Sequence, residues 1–187
     1  RELSKKEFRQ IFTRSMTLDS GWNYERQQHM NYCYTMIPAL KRLYGNDKEK
    51  MARALKRNLE FMACTPHLVT LLAEITVAME EENAGDPDFD KSSISAVKTS
   101  LMGPIAGVGD SLIWGTLLTI AVGVGTSFAS QGSILGPILF FLIINIPCFC
   151  LRYYCLKAGY ASGTKFFTSM TESGMVARIT RVASVLG

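Results

Sequence analysis

The runs LMGPIAGVGDSLIWGTLLTIAVGVG (residues 101–125) and ILGPILFFLIINIPCFCL (residues 134–151), parted by a stretch ending in the polar break ASQGS (129–133), decide the fold. Residues 111–151 hold no Asp, Glu, Lys or Arg, and residues 99–151 hold only Asp110. Within them, 112–128 and 134–151 each approach the roughly 20 residues that cross a bilayer as a helix, and the short break makes them an antiparallel hairpin. Gly103, Pro104, Gly107 and Gly109 ahead of the first run, with Gly136, Pro137 and Pro147 in the second, are expected to break or soften these helices. Irregular backbone at membrane depth survives only where protein or a water-filled cavity satisfies it, and discontinuous helices of this kind build transporter sites.

Asp110 stands at the mouth of this hairpin, where an ionised carboxylate is costly unless it is paired or reached by water. It has three candidate roles. It can cap the helix expected to start near Leu112. It can also accept hydrogen bonds from vicinal hydroxyls of a sugar, beside Ser111, while the Trp114 indole covers the sugar's apolar face; capping and binding are compatible. The third role follows from GVGD, which matches the G-x-G-D element of intramembrane aspartyl proteases. That chemistry needs two carboxylates sharing a proton, and the hairpin has no second acid.

Outward from the hairpin, the chain of 187 residues is 48% hydrophobic with 15 glycines and a positive mean hydropathy, which leans toward the membrane. The 36 charged residues gather mostly in the first 98, so a polar half is joined to a bilayer half. A net charge of +4 without a basic stripe interleaved with aromatics excludes the footprint of a nucleic-acid binder. Cys33, Cys64, Cys148, Cys150 and Cys155 form no CxxC pair, which argues against a disulfide framework and a zinc site. RELSKKEFRQIF carries charges where a secretory signal has its apolar core, so no signal is expected.

That segment instead reads as an amphipathic helix, with Ser4 and Glu7 as a capping box and Leu3 and Phe8 as a hydrophobic staple. Phe8, Ile11, Phe12 and Met16 lie opposite Lys5, Lys6, Arg9 and Arg14, a basic pattern that favours a membrane surface over packing on a core. Asp47 is placed to cap a second helix carrying Met51, Leu55 and Leu59. MACTPHLVTLLAEITVAM (62–79) is apolar apart from His67 and Glu74, with Pro66 near its start, and suits a partly buried or re-entrant segment. Asp86, Asp88 and Asp90 imitate a calcium loop, but Lys91 and Val97 stand where it needs glycine and glutamate; a solvated connection is the better reading.

NYERQQHMNYCYTMIPALKRLYG (23–45), LEFMACTPHL (59–68), AMEEE (78–82), residues 98–125 and SQGSILGPILFFLIINIP (130–147) together resemble the IID subunit of the mannose/fructose/sorbose family of the bacterial phosphotransferase system. The likeness runs over nearly the whole chain in order. It implies an all-α integral membrane protein of the bacterial inner membrane, multi-pass, that translocates a hexose with a IIC subunit in a hetero-oligomer assembled as a multimer. It implies that cytoplasmic IIA and IIB parts carry the phosphoryl group, so His29 and His67 are not phosphocarriers and the chain is a transporter subunit without enzymatic residues. Asn23, Glu25 and Lys98 are the polar groups the resemblance sets nearest the membrane boundary, and they join Asp110, Ser111 and Trp114 as candidate substrate ligands. No cofactor or metal is expected. The family's pattern continues in apolar sequence past RITRVASVLG, so a C-terminal membrane part is expected to be missing.

The expected organisation is an amphipathic, partly membrane-embedded helical region (1–98), a transmembrane hairpin with a Gly-rich GPIAGVGDS opening (99–151), and a cytoplasmic-side segment (152–187). Lys98 on one flank and Arg152, Lys157 and Lys165 on the other put both flanks in the cytoplasm and the ASQGS tip outside. A structural or receptor-like membrane subunit, and less so a G-x-G-D hydrolase, are the competing functions. Lipid and sugar are the expected non-protein partners, and nucleic acid is not.

Overall fold

The computed structural model describes residues 3–172, with side chains to Gly159. Its regular elements are helical: α1 (Lys5–Ser15), a 3-10 turn (Leu18–Gly21), α2 (His29–Tyr44), α3 (Lys48–Asn58), α4 (Val69–Gly85), α5 (Ser92–Asp110), a π-helical segment (Ser111–Leu117), α6 (Leu118–Ala129) and α7 (Leu135–Glu172).

The start of α1 follows its sequence: Ser4 Oγ accepts from the Glu7 amide, and the Glu7 carboxylate accepts from the Ser4 amide at 2.8 Å. Its apolar face is not left for lipid. Ile11 is fully buried against α2 and α4, and Phe8 and Phe12 meet Tyr153 of α7 edge-on at 5.6 and 6.3 Å. The expectation of a surface-lying helix is corrected here, because a ready-made apolar groove between α2 and α7 takes up the stripe that a bilayer would otherwise cover. Asp47 caps α3 as expected, accepting from the Lys50 amide at 2.9 Å.

Helix α4 is the central post. From Val69 through Glu80 all but Leu71 are buried, and α1, α2, α5 and α7 pack around it. Two acids are carried inside. Glu80 is satisfied by Arg57 (2.7 and 3.1 Å), the Tyr44 hydroxyl (2.9 Å) and Asn58 (3.2 Å). Glu74, fully buried, has neither oxygen hydrogen-bonded among the described residues. A Cβ on Gly159 would stand 2.8 Å from the Glu74 Cβ and 3.2 Å from the Leu71 carbonyl, so the bare glycine is what lets α7 seat on α4.

Ser92–Ala129 is one continuous helix of 38 residues through α5, the π segment and α6, and Leu135–Gly159 is the second helix long and apolar enough to cross a membrane. The expected break at Gly103–Gly109 is not there. Pro104 sits inside α5, where the helix forgoes one hydrogen bond to the Ser100 carbonyl rather than opening. The irregularity lies later: the Leu118 amide donates to the Ile113 carbonyl, five residues back, closing the π segment. At the tip Gly132 takes φ +72, its amide donating to Ala129 and that of Ser133 to Phe128, which turns the chain into α7.

Beyond the turn, α6 and α7 cross at small residues. A Cβ on Gly136 would come 2.6 Å from the Gly125 carbonyl. Most of each apolar stretch is left uncovered by the protein, with Leu112, Ile120, Phe128, Ile138, Phe141, Ile146 and Phe149 facing outward. In water that surface would be prohibitive. In a bilayer it is the ordinary exterior of a spanning hairpin.

Candidate functional site

Of two irregular segments, 22–28 and 61–68, the second lies against α5. They are zipped to each other by the Gln28 amide donating to the Met62 carbonyl (2.9 Å) and the Cys64 amide to Gln28 Oε1 (2.8 Å). Gln27 takes φ 53 to make the corner. The Thr65-Pro66-His67 stretch then lies directly on the Gly-rich part of α5, since a Cβ on Gly109 would fall 2.4 Å from Thr65 Oγ1 and 2.8 Å from Leu68 Cδ1. Glycine is required there by contact.

This approach gives Asp110 its partner. The Thr65 hydroxyl lies 2.7 Å from Asp110 Oδ1 and 3.1 Å from the Ala106 carbonyl, so its single proton serves either acceptor. Asp110 is in right-handed helical conformation, makes no capping bond and is exposed. The capping role is therefore corrected: the helix does not begin at Leu112, so no free amides await a cap. One turn on, Trp114 is 48% exposed and meets His67 edge-on with ring centroids 6.1 Å apart. Ser111 stands between them, but its hydroxyl is spent on the Gly107 carbonyl at 2.8 Å. Asp110 and Trp114 thus form an open ledge, a carboxylate beside an indole face, braced from behind by Thr65 and His67.

The other candidates are not in contact with this ledge. Lys98 is twelve residues earlier on α5, roughly 18 Å along its axis. It is buried, donating to the Arg57 carbonyl (2.8 Å) and Glu60 Oε2 (3.2 Å), with the Tyr32 ring 6.0 Å away. Asn23 Nδ2 is 3.2 Å from His29 Nδ1 and its Oδ1 accepts from the Arg26 amide. Glu25 is exposed and pairs only loosely with Arg26 at 3.3 Å. Segment 22–28 also presents Trp22 and Tyr24, stacked edge-on at 4.8 Å and both exposed. Polar ligands and aromatic faces thus occur in two clusters, at Asp110–Trp114 and at 22–25, bridged by segment 61–68.

Burial sets the chemistry of the bracing groups. It pushes the Cys64 thiol up to about 12, with the Asp110 charge adding to the effect, so this thiol is inert. Burial, helped by the Arg152 cation, lowers His67, which is held neutral. Thr65 and His67 were not singled out as site residues in the sequence. The sign was there: they are the polar pair flanking Pro66 in an otherwise apolar run.

The family model for the PTS system mannose/fructose/sorbose family IID component matches residues 2–187. The PTS system mannose-specific EIID component of Escherichia coli (strain K12) is 36% identical over 187 residues, spanning 100% of this chain and 66% of that relative. The fructose permease IID component of Bacillus subtilis (strain 168) is 42% identical, spanning 100% of this chain and 67% of the relative. A chain in the cryo-EM structure of the mannose transporter ManYZ with a microcin superposes with a TM-score of 0.88 at 36% identity, over 100% of this chain and 68% of that one. This chain therefore spans slightly less than two thirds of the E. coli relative's length.

Proposed function

The chain belongs to the mannose/fructose/sorbose IID family, and from that premise we propose that it is the IID part of a sugar-translocating phosphotransferase permease. In this reading it lies in the bacterial inner membrane with a IIC subunit, in a hetero-oligomeric multimer, and carries a hexose inward. IIA and IIB components in the cytoplasm supply the phosphoryl group, and no residue of this chain forms a covalent intermediate.

The observation that carries the site assignment is the Asp110–Trp114 ledge. A carboxylate accepts from two neighbouring sugar hydroxyls while an indole covers the C–H face, a combination that discriminates a hexose from an apolar solute. Thr65 is a positioning residue, holding one carboxylate oxygen and leaving the other free. Asn23 and Glu25 are secondary ligands on the neighbouring segment, and Lys98 holds that segment's neighbour through Glu60 and the Arg57 carbonyl. A ledge open on one side calls for a second wall, and the IIC subunit is the proposed source.

The test is sugar uptake by the full-length protein co-expressed with its IIC, IIA and IIB components. Asp110→Asn keeps the shape and the Thr65 bond but removes the charge, and is expected to weaken sugar binding by about tenfold or more, equivalent to about 1.5–3 kcal/mol, with assembly intact. Uptake of every tested hexose at the unmodified rate would reduce Asp110 to a brace for segment 61–68. The competing reading, a structural subunit without its own sugar contacts, would then stand; it draws on Ser111 and Thr65 being already engaged with the protein's own atoms.

A further inference from the structure

A cavity of about 200 Å³ lies between the end of α1 and α7, lined by Met16, His67, Asn145, Cys148, Phe149 and Arg152. Arg152 is only 5% exposed. Its Nη1 donates to the Ser15 carbonyl (2.6 Å) and Ser15 Oγ (2.9 Å), both neutral acceptors, and among the described residues no carboxylate pairs with it. Asp19, on the turn after α1, is near enough for its charge to act on both Arg152 and His67 but makes no ion pair with Arg152, and its Oδ1 accepts from Gln28 Nε2 at 2.6 Å. Lys98, the other buried basic side chain among the described residues, and the half-buried Arg57 each have a glutamate. A buried cation left with neutral partners costs several kcal/mol unless an anion comes to it. His67 Nδ1, also buried and without a hydrogen-bond partner, is a second unfilled position on the same wall.

The rim shows what kind of anion fits. Met16 and Phe149 at the edge are 43% and 46% exposed, and Phe149 continues into Leu142 and Ile138 on the same face of α7, both outward-facing. From Ile138 to Phe149 this stripe runs about 16 Å along the helix, close to the roughly 15 Å depth of one bilayer leaflet. Asn145, which lines the cavity, lies in the middle of it; its Nδ2 donates to the Phe141 carbonyl at 2.8 Å, which leaves Oδ1 as an acceptor. A charged socket at the end of an apolar, leaflet-long stripe has the shape of a lipid site.

We propose that this cavity binds the headgroup of an anionic phospholipid of the phosphatidylglycerol type. Its phosphate sits on the Arg152 guanidinium and a Nδ1–H tautomer of His67, its headgroup hydroxyl donates to Asn145 Oδ1, and an acyl chain lies along Phe149, Leu142 and Ile138. The proposal rests on α7 spanning the membrane and is independent of where the sugar binds.

The full-length protein, extracted with the subunits it co-purifies with and exchanged into lipid-free detergent, is examined by native mass spectrometry and thermal unfolding. The probes are short-chain phosphatidylglycerol, short-chain phosphatidylcholine and sodium phosphate. Phosphatidylglycerol is expected to bind one per chain and raise the unfolding midpoint, phosphatidylcholine to bind about tenfold more weakly, and sodium phosphate to leave the midpoint unmoved. Arg152→Gln is expected to lower phosphatidylglycerol affinity about tenfold or more. Asn145→Leu, which leaves the Arg152–Ser15 bonds untouched and decides the matter if Arg152→Gln does not fold, should narrow the preference for glycerol over choline to the part set by the Arg152 charge. Absence of phosphatidylglycerol binding, equal response to sodium phosphate, or an unchanged preference in Asn145→Leu would each overturn the assignment. Sugar uptake measured on the same samples separates this outcome from a failure of the permease reading.

Discussion

Glu74 places a carboxyl in the middle of the bundle with both oxygens unbonded among the described residues, nearly two helical turns from the acids Glu80 and Glu81. Burial raises it to about 8 from an ordinary 4.5, the Glu81 and Glu7 charges pushing the same way and Arg42 opposing them. The folded protein thus holds a proton on Glu74 that the unfolded chain has released across the window between those values. Stability from this group is full below about 4.5 and is lost as pH rises toward about 8, with a slope of about 1.4 kcal/mol per pH unit for one proton. Glu74→Gln, neutral at every pH, should flatten that part of the curve. Thermal unfolding of the detergent-solubilised protein at pH 5 to 9 checks it, and identical slopes in both proteins would refute the account. Nothing near Glu74 in the sequence distinguishes it from Glu80, which is salt-bridged by Arg57 from 23 residues away. Asp110 poses the same difficulty, its Thr65 partner standing 45 residues earlier. Residue type announces the cost of a buried acid, but its relief is written in the packing of other elements.

Elements were more legible than their interruptions. The capping box at Ser4, the Asp47 cap and the two apolar runs all carry local signals that act within a turn or by length alone, and these elements form where the residues indicate. Gly103 to Gly109 read as a break because glycine and proline weaken a helix in water. In hydrocarbon every unmade backbone bond is dearer, so α5 runs on through Pro104 and yields only at Ser111–Leu117, where a π turn keeps its amides bonded. Glycine in this hairpin works through proximity. Gly136→Leu drives a side chain into the Gly125 carbonyl and the Ala129 backbone and is expected to destabilise the hairpin by about 1–3 kcal/mol or more. Gly123→Leu, with nothing within 4 Å, should cost little in thermal midpoint. Equal losses for both would show that helix propensity, not the crossing, is the reason for these glycines.

At the scale of the molecule, the orientation expected of the hairpin rests on its flanks, although the flanking charges are not all alike. Lys98 and Arg152 are buried and bonded within the protein, whereas Lys157 is exposed and free to obey the bias that keeps basic residues in the cytoplasm. With Cys150 replaced by alanine, a cysteine at Ser130 should react with an impermeant maleimide on intact cells and one at Ser100 only after the membrane is opened. The opposite pattern would invert the protein. The long helix Ser92–Ala129 adds a mechanical consequence. At the bare Gly109 it is met by the Thr65 and Leu68 side chains of segment 61–68, and from Asp110 to Ala129 it extends for about 28 Å, so a tilt of about 5° at that contact would carry the tip roughly 2.5 Å. The threonine that braces the carboxylate thus sits where a fulcrum would be: a change in its contact would be delivered, magnified, to the far tip of the helix.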